Sequence, residues 1–561
     1  MLPRRMVTVF AVVTTGAASL ALAACAPVSG TGAARSSASA VGGRQDDRQR
    51  IGSFSVVQAV AVSRRFVYAA SSGGIAVYDR VLNAWLPPLT RDQGFTDQQI
   101  TVIAGDPVED ALWFGVPGAV VSYRPQTEQL QRTIVTGVPE FIAFDRSGTG
   151  DAFVRSAGQW TRVSRIGIST PMTQPPAPAS VIVPSTLGEL YARFPTLRTQ
   201  PQLLLRNQAA NRPLRQFALL SGAASPERVS DVWLGTDGDG LYRLDPSFLQ
   251  AEPLRFGLLE PGVGALALAA DGVWAAGLGM ATDRGGLTFA ASDLQRWHWL
   301  EGTITVPLTG MRSYVLATRA ERAWLGTDRG LVRLRLDGEN DVAAWTTLDG
   351  LPDDRVLAVA PRNDGAWVGT PRGLQYVSDS TNARSTRTRG LGVRMLDNMP
   401  VYALLFTGDT LWAGTESGLL AIPRPDAQAG GALARPRAQD PALRRPVRSL
   451  AWSDTVLLAA TDDAVLRLAP RGGVEPVRIP ALDVLQVGQV TRVAIDERAM
   501  WLAGTQGVVM LSRQTGALRI LRAPVDVPGP VLDVVASRDW LWLGTPQGLV
   551  RYRRTADGLV P

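Results

Sequence analysis

A short motif, Trp-Leu-Gly-Thr followed within a few residues by Gly-Leu, recurs along this chain and restricts its fold more than any other feature. Clear copies begin at Trp233, Trp324, Trp367, Trp412 and Trp542, and looser copies begin at Trp113, Trp274 and Trp501. Successive copies lie 41 to 50 residues apart, except for two gaps of 120 and 89 residues, close to three and two times the common spacing. A fixed period of this length is typical of propellers and solenoids.

The long gaps contain weaker versions of the same strand. Residues 153–155 and 190–192 fall where copies are expected in the first gap, and residues 457–461 do so in the second. Residues 66–70 supply one more copy upstream of Trp113. Counting these, the sequence predicts about twelve units of roughly 43 residues between positions 51 and 561.

Each unit predicts four short strands joined by turns, which is the composition of one propeller blade. An apolar alternating run precedes the Trp strand, and the Gly-Leu strand and a weaker fourth segment follow it. Glycine in the turn allows a positive φ or a close approach of two backbones. The tryptophans offer large flat faces, and we expect them to pack between neighbouring blades. One blade alone buries too little apolar surface, so the units must stack.

The blade number determines the predicted domains. Because single rings typically hold about 4 to 8 blades, we expect an all-β fold of two consecutive six-bladed propellers, 51–300 and 301–561. The break is placed at the longest spacing between adjacent recognised copies, from Trp274 to Trp324. A division into seven and five blades, or one large ring, remains open. The last unit ends without a good fourth strand, and residues 51–55 are predicted to supply it by pairing the two termini.

The motif resembles the two-component regulator propeller repeat, whose consensus is close to Trp-Ile-Gly-Thr, a short turn and Gly-Leu. The resemblance covers about residues 51–561 and is strongest from Trp233 onward, and residues 349–356 also match a segment that precedes the next blade in that family. In that family such repeats often form the periplasmic half of hybrid histidine kinases that respond to glycans. No kinase follows the repeats in this sequence, so a sensing role would require a separate transducer.

The N-terminal segment predicts export and lipidation. Residues 1–24 carry Arg4 and Arg5, then an apolar stretch and small residues, as in a secretory signal peptide. The sequence Leu-Ala-Ala-Cys at 22–25 looks like a bacterial lipobox, in which cleavage precedes Cys25 and its thiol carries diacylglycerol with acyl chains such as palmitate. Residues 25–50 are predicted to be a lipidated flexible tether. We therefore expect a lipid-anchored protein of the bacterial cell envelope, at the outer membrane where the organism has one.

The residue composition argues against several kinds of chemistry. All 57 basic residues are arginine, which indicates a coding bias, so the net charge of +7 does not point to nucleic acid. His298 is the only histidine and Cys25 the only cysteine, so zinc or thiol catalysis has no ligand set here and no metal or cofactor is expected. The stretch Asp-Gly-Asp-Gly at 237–240 is interpreted as an acidic turn and not as a calcium loop. Arginine clusters at 384–394 and 435–448 are interpreted as solvated loops, with an anionic docking patch as the alternative.

The remaining candidate site is the propeller rim. The turn after each Trp strand opens on one face, which would gather polar residues around the mouth of the second propeller. The predicted rim residues are Asp328, Arg329, Arg372, Glu416, Asp462, Asp463, Gln506 and Gln547. The sequence thus favours a non-catalytic, membrane-tethered propeller that binds a partner protein or an envelope polymer such as polysaccharide. A glycan sensor acting through a separate transducer is the alternative, and a propeller lyase is a third hypothesis, in which His298 would be required.

Overall fold

The repeats fold into antiparallel sheets in the computed structural model of the protein. It describes residues 48–90, 100–199, 217–225, 231–245, 250–280, 285–302, 306–337, 341–379, 396–425, 435–436, 441–453, 456–468 and 477–560. Within these ranges the chain forms eleven sheets, nine of them with four strands, and in eight of those nine the strands follow one another in chain order. The predicted all-β propeller architecture is confirmed. The number of twelve blades stays a prediction, because parts of the repeat region lie outside the described residues.

The first strands in chain order are β1 (Arg48–Ile51), β2 (Ala59–Val62), β3 (Phe66–Ser71), β4 (Gly74–Asp79), β5 (Ala84–Leu89), β6 (Val102–Gly105), β7 (Leu112–Val116), β8 (Ala119–Arg124), β9 (Gln129–Ile134), β10 (Pro139–Asp145), β11 (Ala152–Ser156), β12 (Gln159–Val163), β13 (Ser169–Met172), β14 (Val181–Ile182), β15 (Leu219–Ala224), β16 (Val232–Thr236), β17 (Leu241–Asp245) and β18 (Gln250–Leu254). Two helices, α1 (Leu187–Arg193) and α2 (Thr196–Thr199), lie between β14 and β15.

The remaining strands are β19 (Val263–Ala269), β20 (Gly272–Gly277), β21 (Gly286–Ala291), β22 (Trp297–Glu301), β23 (Ser313–Arg319), β24 (Arg322–Thr327), β25 (Gly330–Arg335), β26 (Val342–Trp345), β27 (Ala358–Pro361), β28 (Gly365–Thr370), β29 (Gly373–Ser378), β30 (Val401–Thr407), β31 (Thr410–Thr415), β32 (Gly418–Pro423), β33 (Arg435–Pro436), β34 (Val447–Ser453), β35 (Val456–Thr461), β36 (Val465–Leu468), β37 (Val477–Arg478), β38 (Val490–Ile495), β39 (Ala499–Gly504), β40 (Gly507–Ser512), β41 (Leu518–Arg522), β42 (Asp533–Ala536), β43 (Trp540–Thr545) and β44 (Gly548–Arg553). Single 3-10 turns occupy Pro178–Ser180, Thr347–Asp349, Pro441–Arg444 and Val484–Gln486.

The repeated motif has one structural role in every clear copy. Its tryptophan lies on the second strand of the sheet and is buried, as Trp324 is on β24. Its glycine lets the next sheet approach, because a Cβ on Gly326 would lie 2.8 Å from the carbonyl oxygen of Val356. Its threonine closes the turn, since Thr327 Oγ1 donates to the carbonyl oxygen of Gly330 at 2.8 Å and accepts from the backbone N–H of Arg329 at 3.0 Å.

The tryptophans form the core between adjacent sheets, as expected from the sequence. Trp324 packs in one cluster with Val356 and Val368, which belong to the following repeat. Trp367 likewise packs with Val401, and Trp501 packs in a cluster that includes residues of β43 and β44. The motif therefore encodes how one sheet stacks on the next.

The boundary between the two sets of sheets lies earlier in the chain than expected. The evidence is the order in which the first strands, meaning the strand of each repeat that comes first in the chain, contact one another. Within the described residues, β19, β23, β27, β30, β34, β38 and β42 contact one another in succession, and β42 contacts β19 again. These seven sheets form a closed circle, which we call the second ring. A break near residue 300 would separate β19 from β23, whose first strands are in direct contact, so the predicted boundary differs from the observed contacts. The change of partners falls between β18 and β19, near residue 257.

The earlier sheets form what we call the first ring, with first strands β2, β6, β10 and β15. β2 contacts both β6 and β15, and β6 contacts β10. The copies predicted at residues 66–70 and 153–155 are the second strands β3 and β11. The copy predicted at residues 190–192 is wrong, because this segment is helix α1, packed on β15. Its start is fixed by a capping box between Thr186 and Glu189, and straight-chain residues favour a helix over a strand there.

Pairing of the two termini closes the second ring, as predicted, but the closing strand is Arg48–Ile51 and not residues 51–55. The predicted tether at 25–50 is therefore corrected at its end, because residues 48–50 belong to a strand. β1 pairs antiparallel with β44, with Ile51 opposite Leu549, and so completes the last sheet as its fourth strand. Immediately after β1 the chain enters the first ring. An aromatic cluster then joins the two rings: Phe256 lies between Trp85 of β5 and Trp297 of β22, with ring centroids 4.8 and 5.1 Å away. Phe54 contacts the same ring at 5.2 Å.

Candidate functional site

The eight predicted rim residues all lie in equivalent turns of the second ring. Each turn joins the second and third strands of its sheet, so these turns open on one face, which we call the rim face. Asp328 and Arg329 follow β24, Arg372 follows β28 and Glu416 follows β31. Asp462 and Asp463 follow β35, Gln506 follows β39 and Gln547 follows β43. All except Asp328 are exposed.

A second element of the rim face comes from the first strand of each sheet. At the start of five first strands of the second ring the register shifts by one residue, which marks a β-bulge. The extra residues are Gly264, Tyr314, Tyr402, Arg448 and Thr491. A bulge changes the direction of the side chain that it carries. The residue type at this position therefore differs from sheet to sheet while the fold is kept.

Two of these bulge residues connect two predicted rim residues. The Arg448 guanidinium binds both carboxylate oxygens of Asp462 at 3.0 Å and lies 3.7 Å from Glu416. Tyr402 donates its hydroxyl to Glu416 Oε2 at 2.5 Å, and the Arg448 guanidinium lies 4.3 Å above the Tyr402 ring. The Glu416 and Asp462 carboxylates are about half exposed. The result is a preorganised polar network, open to solvent on one side.

The network shifts the proton affinities of its members. The hydrogen bonds to Asp462 raise the pKa of Arg448, despite its partial burial. Burial and the hydrogen bond to Glu416 raise the pKa of Tyr402. Both side chains therefore keep their protons at neutral pH, so Arg448 stays a cation and Tyr402 stays a hydroxyl donor. These states are suited to donating hydrogen bonds to a bound group.

The other predicted rim residues are joined in smaller groups. Asp463 pairs with Arg445 at 2.7 Å, and Arg372 lies 3.4 Å from Asp353. Asp328 accepts the backbone N–H of Arg312 at 2.9 Å, and so fixes the chain that leads into β23. Gln547 lies apart from these groups and lines a cleft.

That cleft separates the rim of the second ring from the first ring and has a volume of about 870 Å³. From the first ring it is lined by the hydroxyl and amide side chains of Ser71, Thr101 and Gln58. From the second ring it is lined by Gln547 and by Pro546. Arg50 also lines the cleft, and within the described residues neither a carboxylate nor an aromatic side chain does. The cleft therefore suits a polar ligand, including one that carries negative charge.

Sequence reasoning did not assign Tyr402 or the other bulge residues to the site. Arg448 was noted only as part of an arginine-rich stretch. The useful signal is positional: each bulge residue comes directly after a buried valine or serine that begins a first strand, such as Val401 before Tyr402. Nothing in residue type marks it, because Gly, Tyr, Arg and Thr all occur there.

His298 lies away from the rim residues. It sits on β22, the outer strand of its sheet, with its ring edge-on to Trp274 at 6.0 Å. In the turn at 237–240, Asp239 pairs with Arg255 at 2.8 Å and Asp237 caps the backbone N–H of Ala218. Within the described residues, no group of three or more His, Cys, Asp or Glu side chains is arranged to hold a metal ion.

Several predicted features lie outside the described residues. These are the signal peptide, Cys25 and the tether up to residue 47, together with the arginines at 384–394. Neither described helix has the length and apolar character needed to cross a lipid bilayer.

Comparisons with known proteins bear on the fold. No protein-family model matches the chain, and no curated protein matches it. Among solved structures it is similar to PorZ of Porphyromonas gingivalis, a bacterial surface component of the type IX secretion system, with 13% identity and a TM-score of 0.51. That match covers 90% of this chain and 87% of PorZ. The extracellular domain of BT4673 from B. thetaiotaomicron matches with 14% identity and a TM-score of 0.39, over 89% of this chain and 69% of that domain. At these identities the likeness is one of fold.

Proposed function

We propose that this chain is a non-catalytic binding protein of the bacterial cell envelope, which uses the rim face of its second ring to hold a partner protein. The observation that carries the proposal is the network of Tyr402, Glu416, Arg448 and Asp462. It gathers an aromatic ring, a cation and two anions in fixed positions on one open face. Arginine and tyrosine are the side chains that most often dominate binding energy at protein interfaces.

The architecture supports a binding role. Each sheet of the second ring contributes one turn to the rim face, and five of the seven also contribute a bulge residue. This face can therefore vary while the buried tryptophans and turn glycines keep the fold. The fold-level likeness to PorZ, a surface component of a secretion system, agrees with a location at the cell surface. Attachment through lipidated Cys25, at the outer membrane where one exists, is part of the proposal and is tested by metabolic labelling with a palmitate analogue in wild type and Cys25→Ala.

The partner is tested by affinity capture from detergent-solubilised envelope, followed by mass spectrometry. The bait is the full chain, compared with Arg448→Ala and with Arg538→Ala as the matched control. Arg538 is exposed in the turn between β42 and β43, which opens on the opposite face. We expect a specific protein whose recovery falls at least about tenfold for Arg448→Ala, the loss of roughly 1.4 kcal/mol, and is unchanged for Arg538→Ala. Repeated recovery of no specific partner would refute the proposal.

A second function, ligand sensing through a separate transducer, is favoured by the cleft between the rings. Its hydroxyl, amide and guanidinium lining suits a polar glycan, neutral or acidic, and its two walls come from rings that the aromatic cluster around Phe256 connects. A panel of neutral and acidic glycans, scored by thermal shift on wild type and on Gln58→Ala, tests it. A glycan that stabilises the wild type and not Gln58→Ala would support sensing, and the absence of any shift would reject it.

A further inference from the structure

Three arginines on the rim face of the second ring have no carboxylate partner. Within the described residues, no carboxylate oxygen lies within 4.0 Å of the guanidinium of Arg312, Arg329 or Arg355. Their neighbours differ: Arg372 and Arg445, for example, each pair with an aspartate. Solvated arginines are common, so a missing ion pair alone does not indicate a binding site. The positions of these three side chains do.

Two of these side chains lie against one bulge residue, and the third lies near the segment that leads to it. The guanidinium carbons of Arg312 and Arg355 lie 5.5 and 5.7 Å from the centroid of the Tyr314 ring. Arg329 Nη2 would lie 3.9 Å from a methyl group placed on Gly310, two residues before Arg312. We call these four residues, Tyr314 with Arg312, Arg329 and Arg355, the Tyr314 cluster.

The nearby carboxylates accept hydrogen bonds from the backbone and do not form ion pairs with the guanidinium groups of the cluster. Asp328 Oδ1 accepts the backbone N–H of Arg312 at 2.9 Å, and Asp353 Oδ1 accepts that of Arg355 at 2.9 Å. The chain is thereby fixed at both positions, and the guanidinium groups stay available. Gathering like charges on one ring is unfavourable, and a bound anion would remove that repulsion.

A fully exposed leucine is displayed beside the cluster. Leu348 is 97% exposed, in the 3-10 turn Thr347–Asp349 that leads into the same connection as Arg355. This connection is tightly held: Thr346 and Asp349 form a capping box, and the Thr347 N–H donates to Asp354 Oδ1 at 2.7 Å. The structure therefore holds an apolar side chain in solvent on a preorganised turn, which lowers the entropic cost of binding it.

We propose that the Tyr314 cluster and Leu348 form a docking site for an acidic segment of a partner protein. Two or more Asp or Glu side chains of the segment would bind the three guanidinium groups, and an apolar pocket beside them would receive Leu348. Charge complementarity selects an anionic partner. The exposed leucine selects a protein over an acidic polysaccharide, because a polysaccharide offers no apolar pocket. This site deepens the proposed function and rests on it.

The test is selection from a displayed library of random twelve-residue peptides on the full chain, followed by fluorescence anisotropy with the selected peptides. We expect them to combine at least two acidic residues with apolar ones, and to bind more weakly as NaCl rises. Affinity should fall at least tenfold in Arg312→Gln/Arg355→Gln and at least threefold in Leu348→Asp. Arg538→Gln on the opposite face is the matched control and should bind like the wild type.

Three results would overturn this site: selection that yields no binding peptide, peptides without acidic enrichment, or acidic peptides that bind the double variant as tightly as the wild type. Binding of polygalacturonate or dextran sulfate at the cluster, with no effect of Leu348→Asp, would replace the protein partner with a polysaccharide. Recovery of the captured envelope protein by the Arg448 and Tyr314-cluster variants distinguishes the proposed function from the proposed docking site. If its recovery depends on Arg448 and not on the Tyr314 cluster, the proposed function stands and this site falls.

Discussion

At the scale of single residues, the repeated motif is enough to predict much of the fold. The burial of Trp324 and its packing between sheets follow from residue type and recurrence alone. The two separate roles of glycine, close approach at Gly326 and positive φ at Gly330, were foreseeable in kind, because only glycine fits either position. The residues of the binding face were foreseeable only in part. A turn residue such as Glu416 could be found by its place after the motif, whereas Tyr402 lies on a bulge that the sequence pattern does not mark.

Gly326→Ala tests the close approach of neighbouring sheets. The added Cβ would lie 2.7 Å from Val356 Cγ1 and 2.8 Å from the Val356 carbonyl oxygen, so the two sheets must separate. We expect a loss of about 1–3 kcal/mol in the free energy of unfolding, as for other overpacked cores. Gly188→Ala in helix α1 is the matched control. Its Cβ would meet only Thr186 Oγ1, at an ordinary contact distance of 3.8 Å, and the substitution should stabilise by about 0.5–1 kcal/mol. Equal effects of the two substitutions in chemical denaturation would contradict the role of Gly326.

Asp79 is expected to contribute to acid denaturation. Burial acts to raise the pKa of Asp79, but hydrogen bonds from Arg65 and from the backbone N–H groups of Leu82 and Val81 outweigh it, so the pKa is lowered. Because the folded pKa lies below the unfolded one, the stabilisation is present above about pH 4 and is lost as the pH falls through the folded pKa. Asp79→Asn should destabilise the protein by about 1.5–3 kcal/mol at pH 7. Its deficit relative to wild type should shrink below pH 4 in urea titrations, and a deficit independent of pH would argue against the ion pair.

At the scale of elements, regular repeats were predicted well and exceptions were not. The closure of the last sheet by β1 follows from a missing fourth strand and a spare segment at the other terminus. Helix α1 was missed because Leu190 fell at the expected repeat distance, while the local capping signal of Thr186 and Glu189 had more weight in the fold. The boundary near residue 257 was missed because spacing between motifs does not record which first strands touch.

Closure by β1 is tested with Ile51→Asp. Ile51 is fully buried and lies opposite Leu549 in β44. A buried carboxylate without a partner should cost about 3 kcal/mol or more, and hydrogen exchange should accelerate along Gly548–Arg553. Val81→Asp, at a side chain 74% exposed, is the control and should change stability by less than about 0.5 kcal/mol. Unchanged exchange in β44 of the Ile51 variant would show that β1 does not hold the last sheet.

For the whole molecule, aromatic side chains connect the two rings. Phe256 contacts Phe54 and Trp85 of the first ring and Trp297 of the second. This contact could not be foreseen, since nothing in a 43-residue repeat specifies how one ring meets the next. We expect it to couple the unfolding of the two rings.

Phe256→Ala should uncouple the rings. We expect it to lower the free energy of unfolding by about 3–5 kcal/mol and to split a single calorimetric transition into two, because each ring would then unfold separately. Phe406→Ala, within the second ring and half-exposed under Arg362, is the control and should keep one transition. A single transition with an unchanged midpoint in the Phe256 variant would show that the aromatic cluster does not couple the rings.

Crosslinking in the living cell tests whether the rim face of the second ring binds a partner protein. A photo-crosslinking amino acid is placed at Gln506, an exposed rim residue outside the Arg448 network, and, in a second strain, at Arg538 on the opposite face. We expect one specific protein adduct from position 506, identified by mass spectrometry, and none from position 538. Adducts from position 538 alone, the same adducts from both positions, or none from either would contradict binding at the rim face.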